Sequence, residues 1–300
     1  MILTVTLNAA LDVTYQVPGV DWDGVNRVSE VHRRAGGKGV NVARVLAALG
    51  REVLVTGLAG GPTGRAIERD LRAAGLPSAL CAIAADSRAT LAVSERARTA
   101  LFNEPGPEVT TDELRNFMTT YEALLATAQA VVISGSLPRG VPPSTYARLA
   151  AIAAERGVPA IVDADGEPLR HAPEGRPSVV KPNAEELARA VPGGTPAEGA
   201  EELRGRGAEA VVVSMGADGL LAVTGEGTFT ARMPYTVRGN PTGAGDSLVA
   251  GLALGLVESA PWPDTLRRAA ALGAAAVAAP VAGDFDPAVY ADIHPKIVIT

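Results

Sequence analysis

The sequence has very little cysteine, since Cys81 is the only one among 300 residues. An internal disulfide is therefore impossible, which excludes the disulfide frameworks of small secreted proteins. Scarce cysteine is typical of proteins that work in a reducing compartment, and we expect a cytoplasmic location.

Long apolar segments are also missing. The longest apolar run, from Ala269 to Gly283, is too short to cross a bilayer, and a buried helix is the better prediction. The first twelve residues contain neither a basic segment nor a long apolar core, so we expect no signal peptide. These features predict no membrane partner.

An excess of basic charge is absent as well. The formal net charge is −6 and the isoelectric point is about 5.2. Such a balance gives no sign of a nucleic-acid surface, so any anionic ligand must be bound by local basic residues. The composition is 47% hydrophobic and 20% charged, which supplies enough apolar residues for a large core.

Predicted strands and helices alternate along most of the chain. Short apolar runs such as 2–7 and 130–133 are typical of strands buried on both faces. Between them lie segments with apolar residues at helical spacing, such as 112–128 and 144–156. This alternation predicts an α/β fold with a mainly parallel sheet and helices on both faces. No repeat or linker interrupts it, so we predict a single domain over residues 1–300.

Two segments, 12–34 and 86–103, show a different pattern. Val13 and Tyr15 alternate with polar residues in the first, and residues around Leu91 do so in the second. This period predicts short strands with one polar face. We predict that they form a small β-sheet lid, separate from the main sheet. Its apolar face must be covered by a binding site or by a second subunit, so a homodimer through the lid is one alternative.

The stretch from Arg238 to Leu256 carries the strongest sign of chemistry. A turn at Asn240 leads into Gly243-Ala244-Gly245, and a helix follows from Asp246. A helix start with small residues exposes backbone N–H donors that suit a phosphate. A carboxylate there makes sense if Asp246 is a base that accepts a proton from an acceptor hydroxyl during phosphoryl transfer. The alternative is that Asp246 only caps the helix.

A second glycine-rich loop, Gly36-Gly37-Lys38-Gly39, runs into a helix that contains Asn41 and ends at Gly50. The loop has neither the Walker A spacing nor the G-x-G-x-x-G spacing. It is either a flexible turn or a site in which glycines approach a ligand.

Several further positions are candidates with ordinary alternatives. Ser136 follows a predicted strand, at the sheet edge where α/β proteins place ligands. Arg88 could bind phosphate or be solvated. Asn183 and Glu186 stand one helical turn apart, so their side chains can converge, although this spacing also forms a capping box. The loop from Ser214 to Gly219 could be a plain β-turn.

The two glycine motifs, GGKGVNVA at Gly36 and GNPTGAGD at Gly239, resemble the two signatures of the PfkB (ribokinase-like) carbohydrate kinases. The second form looks most like the branch of 1-phosphofructokinases and tagatose-6-phosphate kinases. The resemblance covers essentially the whole chain and implies a three-layer αβα core with a β-sheet lid.

The resemblance also implies a role for each matching residue. Catalysis would fall to Asp246 as the base and to an anion hole of Gly243, Ala244 and Gly245. The sugar would be bound by Asp12, Gly36, Gly37, Asn41 and Ser136, and its phosphate by Lys38 and Arg88. ATP would contact Lys181, Asn183, Ser214, Gly216 and Gly219. Magnesium would be held near Glu186 and Asn183, mostly through water.

These roles predict an ATP-dependent phosphotransferase that acts on a phosphorylated ketohexose, either tagatose 6-phosphate or a fructose phosphate. One alternative is a kinase of an unphosphorylated sugar or nucleoside, which the two cations Lys38 and Arg88 oppose. A non-catalytic sugar-phosphate sensor is another, which the intact Gly-x-Gly-Asp motif opposes. Because helix N–H donors favour a negative charge, we also expect Asp246 to ionise readily.

Overall fold

The computed structural model describes residues 1–95 and 98–300. The strands are β1 (Ile2–Thr6), β2 (Ala10–Gln16), β3 (Glu30–Gly36), β4 (Val53–Gly60), β5 (Ser78–Ile83), β6 (Arg88–Glu95), β7 (Arg98–Asn103), β8 (Ala130–Ser134), β9 (Ala160–Asp163), β10 (Val179–Val180), β11 (Ala210–Ser214), β12 (Leu220–Thr224), β13 (Gly227–Arg232) and β14 (Val298–Ile299). The helices are α1 (Lys38–Ala48), α2 (Gly61–Ala73), α3 (Thr111–Leu124), α4 (Thr145–Glu155), α5 (Gly166–His171), α6 (Ala184–Ala190), α7 (Pro196–Gly205), α8 (Ala244–Glu258), α9 (Trp262–Val277) and α10 (Pro287–Ile293).

The main sheet has ten strands in the order β14, β13, β12, β11, β10, β9, β8, β1, β4 and β5. The strands from β11 to β5 in this order run parallel to one another. Strands β12, β13 and β14 extend one edge as antiparallel pairs. The predicted α/β class with a mainly parallel sheet is therefore confirmed.

Alternating side chains of the central strands divide the core into two layers. Ile2 on β1 packs with one apolar cluster, and Leu3, the next residue, packs with the other. The first cluster joins the sheet to α1, α2, α8, α9 and α10, and the second joins it to α3, α4, α5, α6 and α7. The result is a three-layer αβα sandwich. Among the described residues no helix is long and apolar enough to span a membrane.

A separate four-stranded sheet, the lid, has the order β3, β2, β6 and β7. Its strands come from the two segments predicted for it, although residues 96 and 97 of the second segment lie outside the described residues. The first segment is not strand throughout. The side chain of Asn26 bonds both the N–H and the carbonyl of Asp21, which closes a loop before β3. Val25, predicted as part of an alternating strand, lies in that loop and is 86% exposed.

Helices α8 and α9 pack at unusually short range. A Cβ atom at Gly251 would lie 2.6 Å from the Cα atom of Ala269, and one at Gly255 would lie 2.3 Å from the side chain of Thr265. Glycine at position 251 lets the two backbones meet directly, and glycine at position 255 leaves room for the side chain of Thr265. Helix α8, which begins at the Gly-x-Gly-Asp motif, is therefore held firmly in the layer.

Candidate active site

The candidate site lies at the carboxyl ends of the parallel strands, where α/β sheets bind ligands. A cavity of about 730 Å³ opens there beside the N-terminus of α1. Its lining includes Thr6 at the end of β1, Asn8 shortly after it, Ser136 after β8, and Lys38 at the start of α1. Gly37, Arg88 and Glu186, all predicted site residues, also line it.

A direct hydrogen bond joins the two glycine motifs. Asn41 on α1 donates from Nδ2 to Oδ2 of Asp246 on α8 at 2.7 Å, and both side chains are buried. The two residues stand 205 positions apart in the chain. The structure therefore brings the predicted sugar contact and the predicted base into one site.

Asp246 does not cap its helix. The N-cap of α8 is Gly243, in the left-handed region at φ 85°, and no side chain bonds there. Burial raises the pKa of Asp246 to about 6, and the nearby charge of Asp163 adds to this, while the bond from Asn41 opposes it. The pKa thus shifts in the direction opposite to the expected effect of helix donors, but a pKa of about 6 still leaves Asp246 mostly ionised at neutral pH, able to accept a proton.

The loop before α8 is a folded turn. Asn240 accepts the N–H of Thr242 at 3.1 Å through its side-chain oxygen, and the N–H of Ala244 donates to the carbonyl of Pro241 at 3.1 Å. The Ala244 donor is thus already engaged within the turn. Of the three predicted anion-hole donors, this leaves Gly243 and Gly245 as the candidates that the turn does not use.

Asp163, at the end of β9, is a site residue that the sequence interpretation missed. It is 1% exposed, and Oδ1 lies 3.3 Å from Nζ of both Lys38 and Lys181. Ser134 donates to its other oxygen at 3.2 Å. Burial opposes ionisation, but the two lysines outweigh it and lower the pKa of Asp163. Its place at the carboxyl end of a predicted strand was the signal that could have identified it.

The two lysines that pair with Asp163 differ in what else they contact. Burial acts to lower the pKa of Lys38, but Asp163, Glu186 and Asp246 outweigh it and raise that pKa, so the side chain stays charged. Lys181 is 3% exposed, and its Nζ lies 3.7 Å from the position of a Cβ atom at Gly245. Lys38 therefore faces the cavity, and Lys181 lies behind the Gly-x-Gly turn.

Asn183 and Glu186 form the capping box that was the ordinary alternative for them. The Glu186 N–H donates to Asn183 Oδ1, and the Asn183 N–H donates to Glu186 Oε2, each at 2.8 Å. The other Glu186 oxygen, Oε1, lies 3.9 Å from Lys38 Nζ on the cavity side. Within residues 1–95 and 98–300 no group of three or more acidic, histidine or cysteine side chains is arranged to hold a metal ion.

Asp12 and Arg88 lie where the lid joins the core. A Cβ atom at Gly36 would lie 1.9 Å from Oδ2 of Asp12, so only glycine fits beside this carboxylate. Burial raises the pKa of Asp12, while Thr90 and Arg88 oppose it. Arg88 donates to the carbonyl of Asn8 at 3.2 Å and to the hydroxyl of Thr90 at 3.3 Å. Arg88 is therefore a fixed cation at the cavity wall, not a solvated side chain.

The predicted nucleotide contacts lie farther along the sheet edge. Ser214 ends β11, and its N–H donates to the carbonyl of Pro182 at 3.0 Å, beside Asn183. Gly216 and Gly219 begin and end a short turn, both at positive φ. None of these three lines the cavity that contains Lys38. Ser136, in contrast, does line it and accepts a hydrogen bond from Asn8 at 3.0 Å.

A model of the pfkB family of carbohydrate kinases matches residues 5–288, which is nearly the whole chain. The chain belongs to the PfkB family. Membership agrees with the joined glycine motifs and makes the protein an ATP-dependent sugar kinase. It favours the enzyme over the non-catalytic sensor that the sequence left open.

Solved structures match this PfkB kinase over almost its full length. Phosphofructokinase-2 from Escherichia coli, in its tetrameric inhibited form, is 32% identical with a TM-score of 0.90, and 98% of each chain is covered. The same enzyme in complex with fructose-6-phosphate is 31% identical with a TM-score of 0.87 and 98% coverage of each chain. A Thermotoga maritima structure described as "Possible 1-phosphofructokinase" is 26% identical with a TM-score of 0.90, covering 100% of this chain and 98% of that one.

These neighbours confirm the ribokinase-like fold class, with its large parallel sheet and small second sheet. They also support a sugar phosphate, not a free sugar, as the acceptor of this PfkB kinase.

Proposed function

We propose that this PfkB kinase transfers the γ-phosphoryl group of ATP to a hydroxyl of a phosphorylated ketohexose, and that residues 1–300 act as one kinase domain. Fructose phosphates and tagatose 6-phosphate are the candidate acceptors. The observation that carries the proposal is that Lys38 and Arg88 line one cavity, and that Lys38 is close enough to Asp246 for the two charges to act on each other. A sugar phosphate is a dianion, so it can accept charge-assisted hydrogen bonds from both cations, whereas a neutral hydroxyl accepts weaker ones.

A third cation supports the same acceptor class. Arg139 lines the cavity, is held by a bond to the carbonyl of Gly106 at 3.0 Å, and lies 3.9 Å from Glu108. The sequence interpretation did not single Arg139 out, although it stands only three residues after Ser136. The phosphate of the acceptor would then meet basic groups from three parts of the chain.

The proposed chemistry follows from the positions of these groups. Asp246 accepts the proton of the acceptor hydroxyl, and Asn41 holds the carboxylate in place. Gly243 and Gly245 donate backbone hydrogen bonds to the phosphoryl group in transit, with the Lys181 ammonium behind them. The closed lid excludes water, which would otherwise compete with the sugar as acceptor.

Magnesium fits the site only with few protein ligands. Glu186 Oε1 faces the cavity and takes no part in the capping box, so it could bind a water of the hydrated ion. Asn183 Oδ1 is engaged by the Glu186 N–H, which weakens its case as a ligand. Magnesium commonly binds through one or two carboxylates, waters and substrate phosphates, and when bound it neutralises ATP phosphate charge.

A substrate panel tests the proposal. Phosphate transfer from ATP is measured with fructose 1-phosphate, fructose 6-phosphate and tagatose 6-phosphate, and with free fructose, ribose and adenosine as controls. We expect turnover with at least one phosphorylated ketohexose and little with the free compounds. Faster turnover of a free sugar or nucleoside than of every phosphorylated one would overturn the proposed acceptor class.

The lid should become ordered when the sugar phosphate binds. No residue of β6 is fully buried, so this strand should exchange its amide hydrogens readily without ligand. We expect slower exchange over residues 12–34 and 86–103 once substrate is added.

We also propose that the exposed lid side chains Val31, Leu101 and Phe102 pack on a second copy. Exchange is therefore measured at high and low protein concentration, and equal rates under all conditions contradict both ideas.

Asp163→Asn should shift the pH dependence of turnover. The charge of Asp163 helps to raise the pKa of Asp246, while Lys38 and Lys181 act to lower it. Removing that charge should move the acid limb of kcat/KM, which reports the unliganded enzyme, from about 6 toward lower pH. Asp112→Asn is the matched control, because Asp112 pairs with the exposed Arg115 on α3 and does not line the cavity. An unchanged limb in Asp163→Asn would show that this carboxylate does not act on the base.

A further inference from the structure

An ion pair connects the lid to the far end of the chain. Arg34 on β3 donates from Nη2 to Oδ1 of Asp284 at 2.8 Å, and from Nη1 to Oδ2 at 3.4 Å. Asp284 lies in the loop between α9 and α10, 250 positions away. Two parallel bonds between a guanidinium and a carboxylate fix direction as well as distance.

The Asp284 loop supports the Gly-x-Gly turn. A Cβ atom at Gly243 would lie 2.9 Å from the Cα atom of Ala282, so the loop touches the N-cap of α8 directly. A Cβ atom at Gly283 would lie 3.1 Å from the Cα atom of Asn41, so the same loop touches α1. Three consecutive residues thus contact the anion-hole turn, the partner of the base, and the lid.

The loop is tethered on its other side. The N–H of Asp286 donates to the carbonyl of Ala275 on α9 at 3.0 Å, and its side chain caps α10 through the N–H groups of Ala288 and Val289. Because Asp286 is tethered to α9 and α10, a displacement of Asp284 is transmitted toward Ala282 and its contact with Gly243.

The lid end of the pair lies at the sugar side. Arg34 stands opposite Asp12 in the register of β2 and β3. The strand is anchored one residue later, where the N–H of Ala35 donates to Asp70 at 2.8 Å. Arg34 therefore moves together with β2, the strand that carries the predicted sugar contact Asp12.

We propose that the Arg34–Asp284 pair couples the two substrate sites, so that sugar phosphate held under the lid strengthens nucleotide binding at α8. Neither residue contacts the reacting groups, so both are positioning residues. The first ligand orders the lid and the Asp284 loop together, and the second ligand then binds to a loop that is already ordered. By linkage the nucleotide strengthens sugar-phosphate binding by the same factor. The inference rests on the proposed function.

The expected size of the coupling is modest. The Arg34 and Asp284 side chains are 27% and 45% exposed, so water and salt screen the pair. Exposed and half-exposed pairs change an equilibrium by up to about fivefold. We therefore expect the pair to contribute a factor of about three to five to the coupling.

The test measures the coupling itself. The dissociation constant of a non-hydrolysable ATP analogue with magnesium is determined by calorimetry, with and without saturating fructose 6-phosphate, or whichever ketohexose phosphate the substrate panel identifies. Wild type is compared with Arg34→Gln, Asp284→Asn and the exchanged double variant Arg34→Asp/Asp284→Arg. We expect each single variant to lose a factor of about three to five in coupling, and the exchange to recover part of it.

Arg51→Gln is the matched control. Arg51 follows α1 and pairs with Glu258 at the end of α8. It therefore links the two helices that the Asp284 loop contacts, but at their ends remote from the motifs. It should leave the coupling unchanged. If Arg34→Gln also leaves it unchanged, the proposal is wrong, whatever happens to thermal stability. Absence of turnover with every ketohexose phosphate would instead reject the proposed function. The ion pair is then tested by amide exchange without ligand, because exchange of β3 should be faster in Arg34→Gln than in wild type.

Discussion

Asp246→Asn is expected to lower kcat by about 10²- to 10⁴-fold and to make the protein more stable at the same time. The substitution keeps the shape of the side chain and an oxygen that can accept the bond from Asn41. It removes the group that accepts the proton, so both substrates should still bind while transfer is lost. This combination separates a catalytic base from a residue that only holds the fold.

The gain in stability follows from the raised pKa of Asp246. Its value rises from 3.8 to about 6 on folding, so the folded protein holds this proton more tightly than the unfolded chain. Stability therefore falls as pH rises from 3.8 to about 6 and stays lower above that range. At roughly 1.4 kcal/mol per unit, the ionised carboxylate costs on the order of 2–3 kcal/mol at neutral pH. Asparagine has no such cost, so Tm should rise by several degrees.

The measurements are steady-state kinetics, substrate binding and thermal unfolding at neutral pH and at pH below 5. The rise in Tm should be largest at neutral pH and small in acid, where Asp246 is protonated. Asp264→Asn is the matched control, because Asp264 is exposed, occupies the first turn of the adjacent helix and pairs with Arg267. If Asp246→Asn keeps turnover within about threefold of wild type, the carboxylate is not the base.

Lys38→Met is expected to raise KM for the sugar phosphate by about ten- to a hundredfold, with little change in KM for ATP. A charge-assisted hydrogen bond contributes roughly 1.5–3 kcal/mol, which sets this range. Methionine keeps most of the length of the side chain in the cavity wall but has no charge. Because Lys38 also acts to lower the pKa of Asp246 in the unliganded protein, the acid limb of kcat/KM should move to higher pH.

Lys296→Met provides the comparison for Lys38. Lys296 is an exposed lysine that pairs with Asp292 on α10, remote from the cavity. Its loss should leave both KM values unchanged. An unaltered KM for the sugar phosphate in Lys38→Met would mean that the ammonium serves only Asp163 and Glu186, and that the acceptor phosphate is bound by Arg88 and Arg139.

Much of the fold was predictable because the parallel strands are buried on both faces. The strand predictions at 2–7 and 130–133 correspond closely to β1 and β8. The interpretation missed β5, an edge strand of small and partly exposed residues, and α5, which has only six residues. It also missed α7, although Thr195 and Glu198 form a capping box there that the sequence displays.

The site was predictable where a motif records it and less so where burial decides the chemistry. The neighbourhood of Asn41 and Asp246 agrees with the two motifs, but the loss of water around Asp246 comes from the packing of residues distant in sequence. For that reason the direction of its pKa shift was predicted wrongly. Asp163 was missed because one carboxylate after an apolar strand is unremarkable until two lysines converge on it.

The close approach of α8 to α9 implies that different parts of the molecule tolerate amino-acid substitutions to different degrees over evolutionary time. At Gly251 even a methyl group would meet the backbone at Ala269, so nearly every substitution there carries a large penalty. Most residues of lid strand β6 have no such constraint, because they are only partly buried, and substitutions among them, Arg88 apart, cost little. Lineages can therefore explore new acceptors by altering the lid and its neighbouring loops, while the helix that bears the base is inherited almost unaltered.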